Sequence, residues 1–290
     1  MMQTSELIEQ VRRIEIRTNR IVDELTGGAY HSMFKGRGIE FDEVREYTQE
    51  DDARDIDWNV TARMGSPFIK KFIEERELTV MLVVDVSASG AFGSGDKTKR
   101  QHAVEVAALL AFSAIKNHDR VGLLMFSDQV ELHLPPRSGR AHVLRLIREL
   151  VAFEPQRIGT DINMVLKHTM QVLDKRSVVF LISDLIAGQN IEKSLKITNR
   201  RHDLIAIRIL DPLELAWPKT PDITLEGSEE KTTLSFRRKF QRNYAVSAES
   251  LFRSVRKSCE RARIDLIDIR CGDDHVKSLM KFFKHRRRRR

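Results

Sequence analysis

From residue 78 onward, short apolar runs alternate with longer stretches of helical periodicity. The runs "TVMLVVDVS", "RVGLLMFS", "SVVFLISDL", "DLIAIRIL" and "DLIDIRC" are rich in Val, Ile and Leu, with almost no polar alternation. Strands of that kind are buried on both faces, the situation of a parallel sheet covered by helices on both sides. Amphipathic stretches at 98–118, 140–153, 162–174, 191–201 and 244–263 supply the covering helices. "VELHLPP" is predicted to be a short antiparallel edge strand, because Pro135 and Pro136 cannot donate to a ladder. "DITLEGSEEKTTLSF", residues 222–236, alternates with period two around a polar turn. It predicts a β-hairpin inserted at about 213–240. The pattern as a whole predicts an α/β, doubly wound, mostly parallel sheet over residues 78–290.

Residues 1–77 read as an N-terminal extension. Leu7, Val11, Ile14, Ile21 and Leu25 recur at four- and three-residue steps, with Thr18 in the missing position, and Gly27-Gly28 end the pattern. That is one amphipathic helix. The remainder is charged and irregular. Within it "EDDARDIDW" crowds Glu50, Asp51, Asp52, Arg54, Asp55 and Asp57 beside Trp58. Clustered carboxylates can hold a metal or transfer protons. The structural alternative is an ion-paired loop in which Asp57 holds Arg54 and Trp58 is an apolar anchor.

Composition changes this picture little. The 290 residues carry a formal charge of +8, but Arg286–Arg290 supply five of those charges as a basic tail over 284–290. No aromatic-interleaved basic motif accompanies it, so no specific nucleic-acid partner is expected. Cys259 and Cys271 lack the paired spacing of a zinc site and are expected to be buried thiols. No secretory leader or membrane span is legible, and a cytoplasmic location is expected.

The candidate chemistry lies in "VVDVSASGAFGSGDKTK", residues 83–99, which carries two incompatible motifs. Gly90-x-x-x-x-Gly95 followed by Lys97-Thr98 approaches a phosphate-binding loop, and Asp184 at the end of "VVFLISD" imitates the acidic strand such loops pair with. Asp96 spoils that match: it puts a carboxylate where phosphate oxygens would sit and displaces the lysine by one residue. Asp85-x-Ser87-x-Ser89 offers instead a set of hard oxygen ligands leaving the first core strand. In the usual strand order 3-2-1-4-5-6, Asp184 on the fourth core strand is its neighbour, at the crevice where such sheets bind ligands. "GTDI" places Thr160 on a third loop at the same edge. Such oxygens suit Mg²⁺ or Mn²⁺.

In order and context, Asp85, Ser87, Ser89, Thr160 and Asp184 resemble the metal-ion-dependent adhesion site of von Willebrand factor A-like domains, whose sheet has Rossmann-type topology. The resemblance implies that the hydroxyls contact the ion directly or through water and that the aspartates mostly orient bound water. It also implies an open position that accepts an acidic residue from a protein partner. "FKGRGIEFDEVREY", "DDARDIDWNVTAR" and "IKKFIEERE" narrow the resemblance to a bacterial uncharacterised family often encoded beside MoxR-type AAA+ ATPases. Glu50 stands where that family usually has glycine. The implied role is a metal-dependent adaptor, working with such an ATPase in chaperone-like maturation of other proteins. No catalytic residues are expected, since no nucleophile–base pair or Gly-x-Ser-x-Gly elbow is legible. The alternatives are a nucleotide-binding or phosphohydrolase enzyme with Asp85 as nucleophile, and a nucleic-acid binder acting through its tail.

Overall fold

The computed structural model describes residues 8–16, 18, 40–48, 51–73, 77–155, 157, 159–186, 190–215 and 238–289. The hairpin expected at 222–236, the second half of the N-terminal helix, Glu50 and Arg290 lie outside the described residues. Two compact units are present: Phe34–Glu77, and Met1–Met33 together with Leu78–Arg290.

The larger unit contains one six-stranded sheet in the order β5-β4-β3-β6-β7-β8. Its strands are β3 (Thr79–Asp85), β4 (Arg120–Phe126), β5 (Val130–Arg137), β6 (Val178–Ser183), β7 (Asp203–Leu210) and β8 (Asp265–Arg270). Numbered from the first core strand, this is the expected order 3-2-1-4-5-6. Every pairing is parallel except β4 with β5, the edge strand, whose pairing runs past Pro135 and Pro136 to Arg137. The architecture is the doubly wound, von Willebrand A-like α/β fold.

Alternation along each strand sends successive side chains to opposite faces. Met81, Val83, Val179, Leu181, Leu204 and Ala206 pack on one face with residues of α4 (Ile162–Val172), α5 (Glu192–Arg201) and α7 (Arg238–Ala262). Against the sheet strands also lies α2 (Lys99–Lys116), beside α3 (Arg140–Ala152). Nearly all of α2 from Ala103 to Ala114 is buried, which suits a helix whose small alanines permit close approach to strands. Thr98 caps it in a reciprocal box with Gln101. One charge enters the α7 face. Arg208 is buried, donates to Asp268 at 2.8 Å and lies over the Phe252 ring, which ties α7 and β8 to β7.

The helix of residues 8–16 groups with this unit: Val11 and Thr18 are buried, and Arg140 donates to Glu15 at 2.7 Å. At the other end, α8 (His275–Arg289) buries Leu279 and Phe283 completely. The basic segment begins inside this helix. Arg286 pairs with Asp203 and with Asp265, so the first arginine of the run holds α8 to the ends of β7 and β8. Among the described residues no helix is long and apolar enough to cross a membrane. Cys259 and Cys271 are free and buried, and burial pushes each thiol up to about 11.

Phe34–Glu77 is more regular than its charge suggests. β1 (Glu40–Glu46) pairs antiparallel with β2 (Phe68–Ile73), and α1 (Trp58–Met64) lies between them in sequence. Charged residues at most positions of β1 hide the alternation, but the register sets Glu43 opposite Lys71. Asp57 is a helix cap, accepting from the Asn59 and Val60 N–H groups, and Gly65 ends α1 in the left-handed region. Asp51 takes the Arg45 guanidinium at 2.6 Å. Trp58 is 70% exposed, which corrects the expectation of an apolar anchor: as the first residue of α1, its side chain turns outward.

The sheet core should tolerate truncation poorly. Leu181→Ala, at a fully buried site on the central strand β6, should cost about 2–5 kcal/mol. Urea unfolding should show a lower midpoint with an unchanged slope.

Candidate metal centre

Asp85 is the last residue of β3, and Ser183 is the last residue of its neighbour β6. The Ser183 hydroxyl donates to Asp85 Oδ2 at 2.6 Å, and the Ser87 N–H donates to Oδ1 at 2.9 Å. One carboxylate therefore clamps the ends of two strands and the start of the loop. Ser87 Oγ is 3.1 Å from Ser89 Oγ, across the opening of a 3₁₀ turn over Ala88–Ala91. Asp85, Ser87 and Ser183 are all buried.

Asp184 follows directly. Its Oδ1 accepts from the Ile186 N–H at 3.1 Å, and its Oδ2 accepts from the Lys99 ammonium at 2.8 Å. Leu185 sits at a φ of 57°, unusual for a branched residue, and is held by burial and by its N–H bond to Ser183 Oγ at 3.0 Å. That turn aims Asp184 back toward the crevice.

The structure places Thr160 at the same edge, one strand further over. The Asp161 N–H donates to the carbonyl of Ser127 just past β4, and Phe126 of β4 is the register partner of Asp85. Among the described residues, the Thr160 side chain is not part of the hydrogen-bond network that joins Asp85, Ser87, Ser89 and Asp184. Asp161 is spent on helix capping, accepting from the Met164 N–H at 2.9 Å.

Lys99, Arg100, Ser183 and Glu214 also belong to the site, and the sequence reading missed them. Lys99 donates to both Asp184 and Glu214 and is buried. Burial disfavours its charge, but the two carboxylates outweigh that and hold its pKa above the ordinary lysine value. Glu214, in the short helix α6 (Pro212–Leu215), is pushed up by burial despite the lysine. Arg100 donates to the carbonyls of Val86 and Ser87. Lys99 and Arg100 occupy the first turn of α2, which contains no acidic residue. Cations oppose the helix dipole there. That misplaced pair was the one sequence signal that carboxylates must converge on this helix end.

The glycine-rich half of the loop is accounted for without phosphate. A Cβ on Gly93 would lie 2.6 Å from the Lys97 carbonyl, so glycine is needed where the loop doubles back. Ser94 N–H donates to Asp211 at 2.8 Å, Lys97 pairs with Glu105, and the Thr98 hydroxyl is engaged in capping.

The residues fit a hard divalent cation. Two hydroxyl oxygens 3.1 Å apart match adjacent corners of an octahedron, whose edge is about 3 Å for bonds of about 2.0–2.1 Å. Burial first, and then the nearby Asp184, raise the Asp85 carboxyl to about 6, a penalty on the anion that a bound cation would relieve. Lys99 already neutralises Asp184, so Asp184 fits the part of an outer residue, with lone pairs left to accept from bound water.

A raised native pKa means that the folded chain prefers Asp85 protonated. The stabilisation from that proton is complete below the unfolded carboxylate range, near pH 4, and is lost as pH rises through about 6. In EDTA, wild type should therefore lose stability as pH rises from about 4 through about 6, and Asp85→Asn should lack that pH dependence whatever its basal stability. Thermal melts across pH check this, and the same pH dependence in both proteins would contradict the assignment of Asp85 as a strained anion.

Comparison with known proteins adds the following. The chain is 29% identical to "Uncharacterized protein Rv1480" of Mycobacterium tuberculosis, an alignment covering 97% of this chain and 90% of that one. It is 24% identical to "Uncharacterized protein MAV169" of Mycobacterium avium, covering 53% of this chain and 94% of that one. Among solved structures, a conserved hypothetical protein BatB from Bacteroides thetaiotaomicron aligns with TM-score 0.48 at 11% identity, over 72% of this chain and 98% of that one. An aerotolerance-related membrane protein from Bacteroides fragilis aligns with TM-score 0.49 at 14% identity, over 73% and 100% of the two chains. The family described as "Protein of unknown function DUF58" matches residues 43–251, from β1 through the edge site into α7 and short of β8, and this chain belongs to that family.

Proposed function

We propose that this protein is a divalent-metal-dependent protein-binding adaptor, with Mg²⁺ or Mn²⁺ held by Ser87, Ser89 and Thr160 and supported by Asp85 and Asp184. The observation that carries this reading is the Ser87–Ser89 hydroxyl pair, 3.1 Å apart above the buried Asp85 carboxylate at the end of the central strand. Bound there, the ion supplies a Lewis-acidic position open to an outside carboxylate. Neutral hydroxyls as the main ligands leave the cation short of negative charge, which favours an acidic residue on a partner. Asp85 holds Ser87 in place through the Ser87 N–H, and Lys99 keeps Asp184 oriented.

This reading assigns no catalytic residue. A phosphohydrolase would use Asp85 as nucleophile and would want a second aspartate where this chain has Ser87. A nucleotide-binding loop would use Lys97, which pairs with Glu105. The partner we assign is a MoxR-type AAA+ ATPase or its client in the cytoplasm, on the strength of the family resemblance, with a role in chaperone-like maturation or assembly of other proteins.

Pull-down from native cell extract should recover an AAA+ ATPase in Mg²⁺ and lose it in EDTA, while circular dichroism of the bait stays constant. Ser87→Ala and Thr160→Ala should weaken capture by about tenfold or more, and Lys97→Ala should leave it unchanged. Equal capture in EDTA by folded protein would move the interaction to another surface.

A further inference from the structure

A second cluster of ligating side chains lies on α2, apart from the hydroxyl-rich edge. His102 and Glu105 are three residues apart on one helix face. His275, the first residue of α8, meets them from another part of the chain. One ligand atom from each of the three lies within 4.8 Å of the other two. The imidazoles of His102 and His275 are edge to face, with centroids 6.4 Å apart, and His275 Nε2 is 3.9 Å from Glu105 Oε2. His102 and His275 are each 7% exposed, and Glu105 is half-buried.

The placement of each group is over-determined. Asp274 caps α8, accepting from the Val276 N–H at 3.1 Å and the Lys277 N–H at 3.3 Å, and this sets where His275 begins the helix. Leu279 and Phe283 lock the same helix into the core. Lys97 engages Glu105 through Oε1, so the carboxylate is oriented with Oε2 toward His275. Two histidines and one glutamate form a borderline nitrogen–oxygen donor set, unlike the hydroxyl and carboxylate oxygens of the sheet edge. In a tetrahedral site with bonds of about 2.0–2.1 Å, ligand atoms lie about 3.3 Å apart. The 3.9 Å separation therefore closes by roughly half an ångström, within the reach of small side-chain rotations.

We propose that His102, Glu105 and His275 form a binding site for a borderline divalent transition metal of the Zn²⁺ class. The ion clips the start of α8 to α2, with the remaining coordination position left to water or an outside ligand. The site is chemically separate from the Mg²⁺-type centre and does not depend on it.

The test uses untagged full-length protein and Zn²⁺ as the probe. After stripping with EDTA, dialysis against Zn²⁺ followed by metal analysis should return one tightly held ion per chain, not displaced by excess Mg²⁺. Co²⁺ in its place should give the visible ligand-field bands of a low-coordinate nitrogen–oxygen site. His102→Gln and His275→Asn should each weaken Zn²⁺ binding by more than the roughly ten- to hundredfold that loss of a supporting outer residue costs. Asp85→Ala should keep the Zn²⁺. Zn²⁺ should raise the melting temperature of wild type but not of the histidine variants, a readout that survives any loss of basal stability in those variants. Absence of stoichiometric Zn²⁺, or Zn²⁺ retained by the His102 and His275 variants and lost in Asp85→Ala, would overturn the proposal.

Discussion

At the C-terminal edge of the sheet, Asp85 and Asp184 end neighbouring strands, and their charges must be compensated where water is nearly excluded. The chain meets that demand with neutral hydroxyl and backbone donors on Asp85 and with a buried ammonium on Asp184. Removing one partner of such a buried pair leaves the other charge uncompensated, which costs far more than the pair itself contributes. Ser183 ties β6 to β3, Lys99 ties α2 to the end of β6 and to Glu214 beyond β7, and Asp211 draws in the loop at Ser94. Loops leaving three strands are held by one electrostatic constraint.

The constraint also bears on function. Satisfied hydrogen bonds do not remove the burial penalty on Asp85, whose carboxyl stays well above its ordinary range. A site that holds anions at a cost to its own stability is poised to accept a cation, and strain of this kind is characteristic of functional edges. Lys99 makes the balance finer: its ammonium already satisfies Asp184, which places Asp184 in the outer shell of any ion held by the serines.

The two proposed cation sites differ in chemistry as well as position. The sheet edge offers hydroxyls and carboxylates on loops. The His102–Glu105–His275 cluster offers imidazoles on two helices under a docked C-terminal element. Hard and borderline donors select different ions, so the two regions need not compete for one metal. The basic tail takes on a structural meaning in this arrangement, since Arg286 anchors the same helix that His275 begins.

Apolar runs and helical periodicity along the chain were enough to specify the sheet, the helices that cover it and the edge where Asp85, Ser87, Ser89 and Asp184 lie, with Thr160 on a loop before a helix. Strand burial writes uninterrupted Val, Ile and Leu runs into the chain, and residues that leave a strand end stand beside those runs. The pattern was poorer where charge conceals periodicity: β1 carries charged residues at most positions, so it and its partner β2 read as irregular, and Trp58 read as an anchor although it faces outward. Lys99 and Arg100 left only an indirect trace, as cations at the wrong end of a helix dipole. The partnerships of Ser183 with Asp85, Lys99 with Asp184, and His102 with His275 span 98, 85 and 173 residues of chain. Those meetings arise in the folded chain alone, because which distant side chains meet depends on sheet order and helix docking, and no local pattern of spacing encodes it.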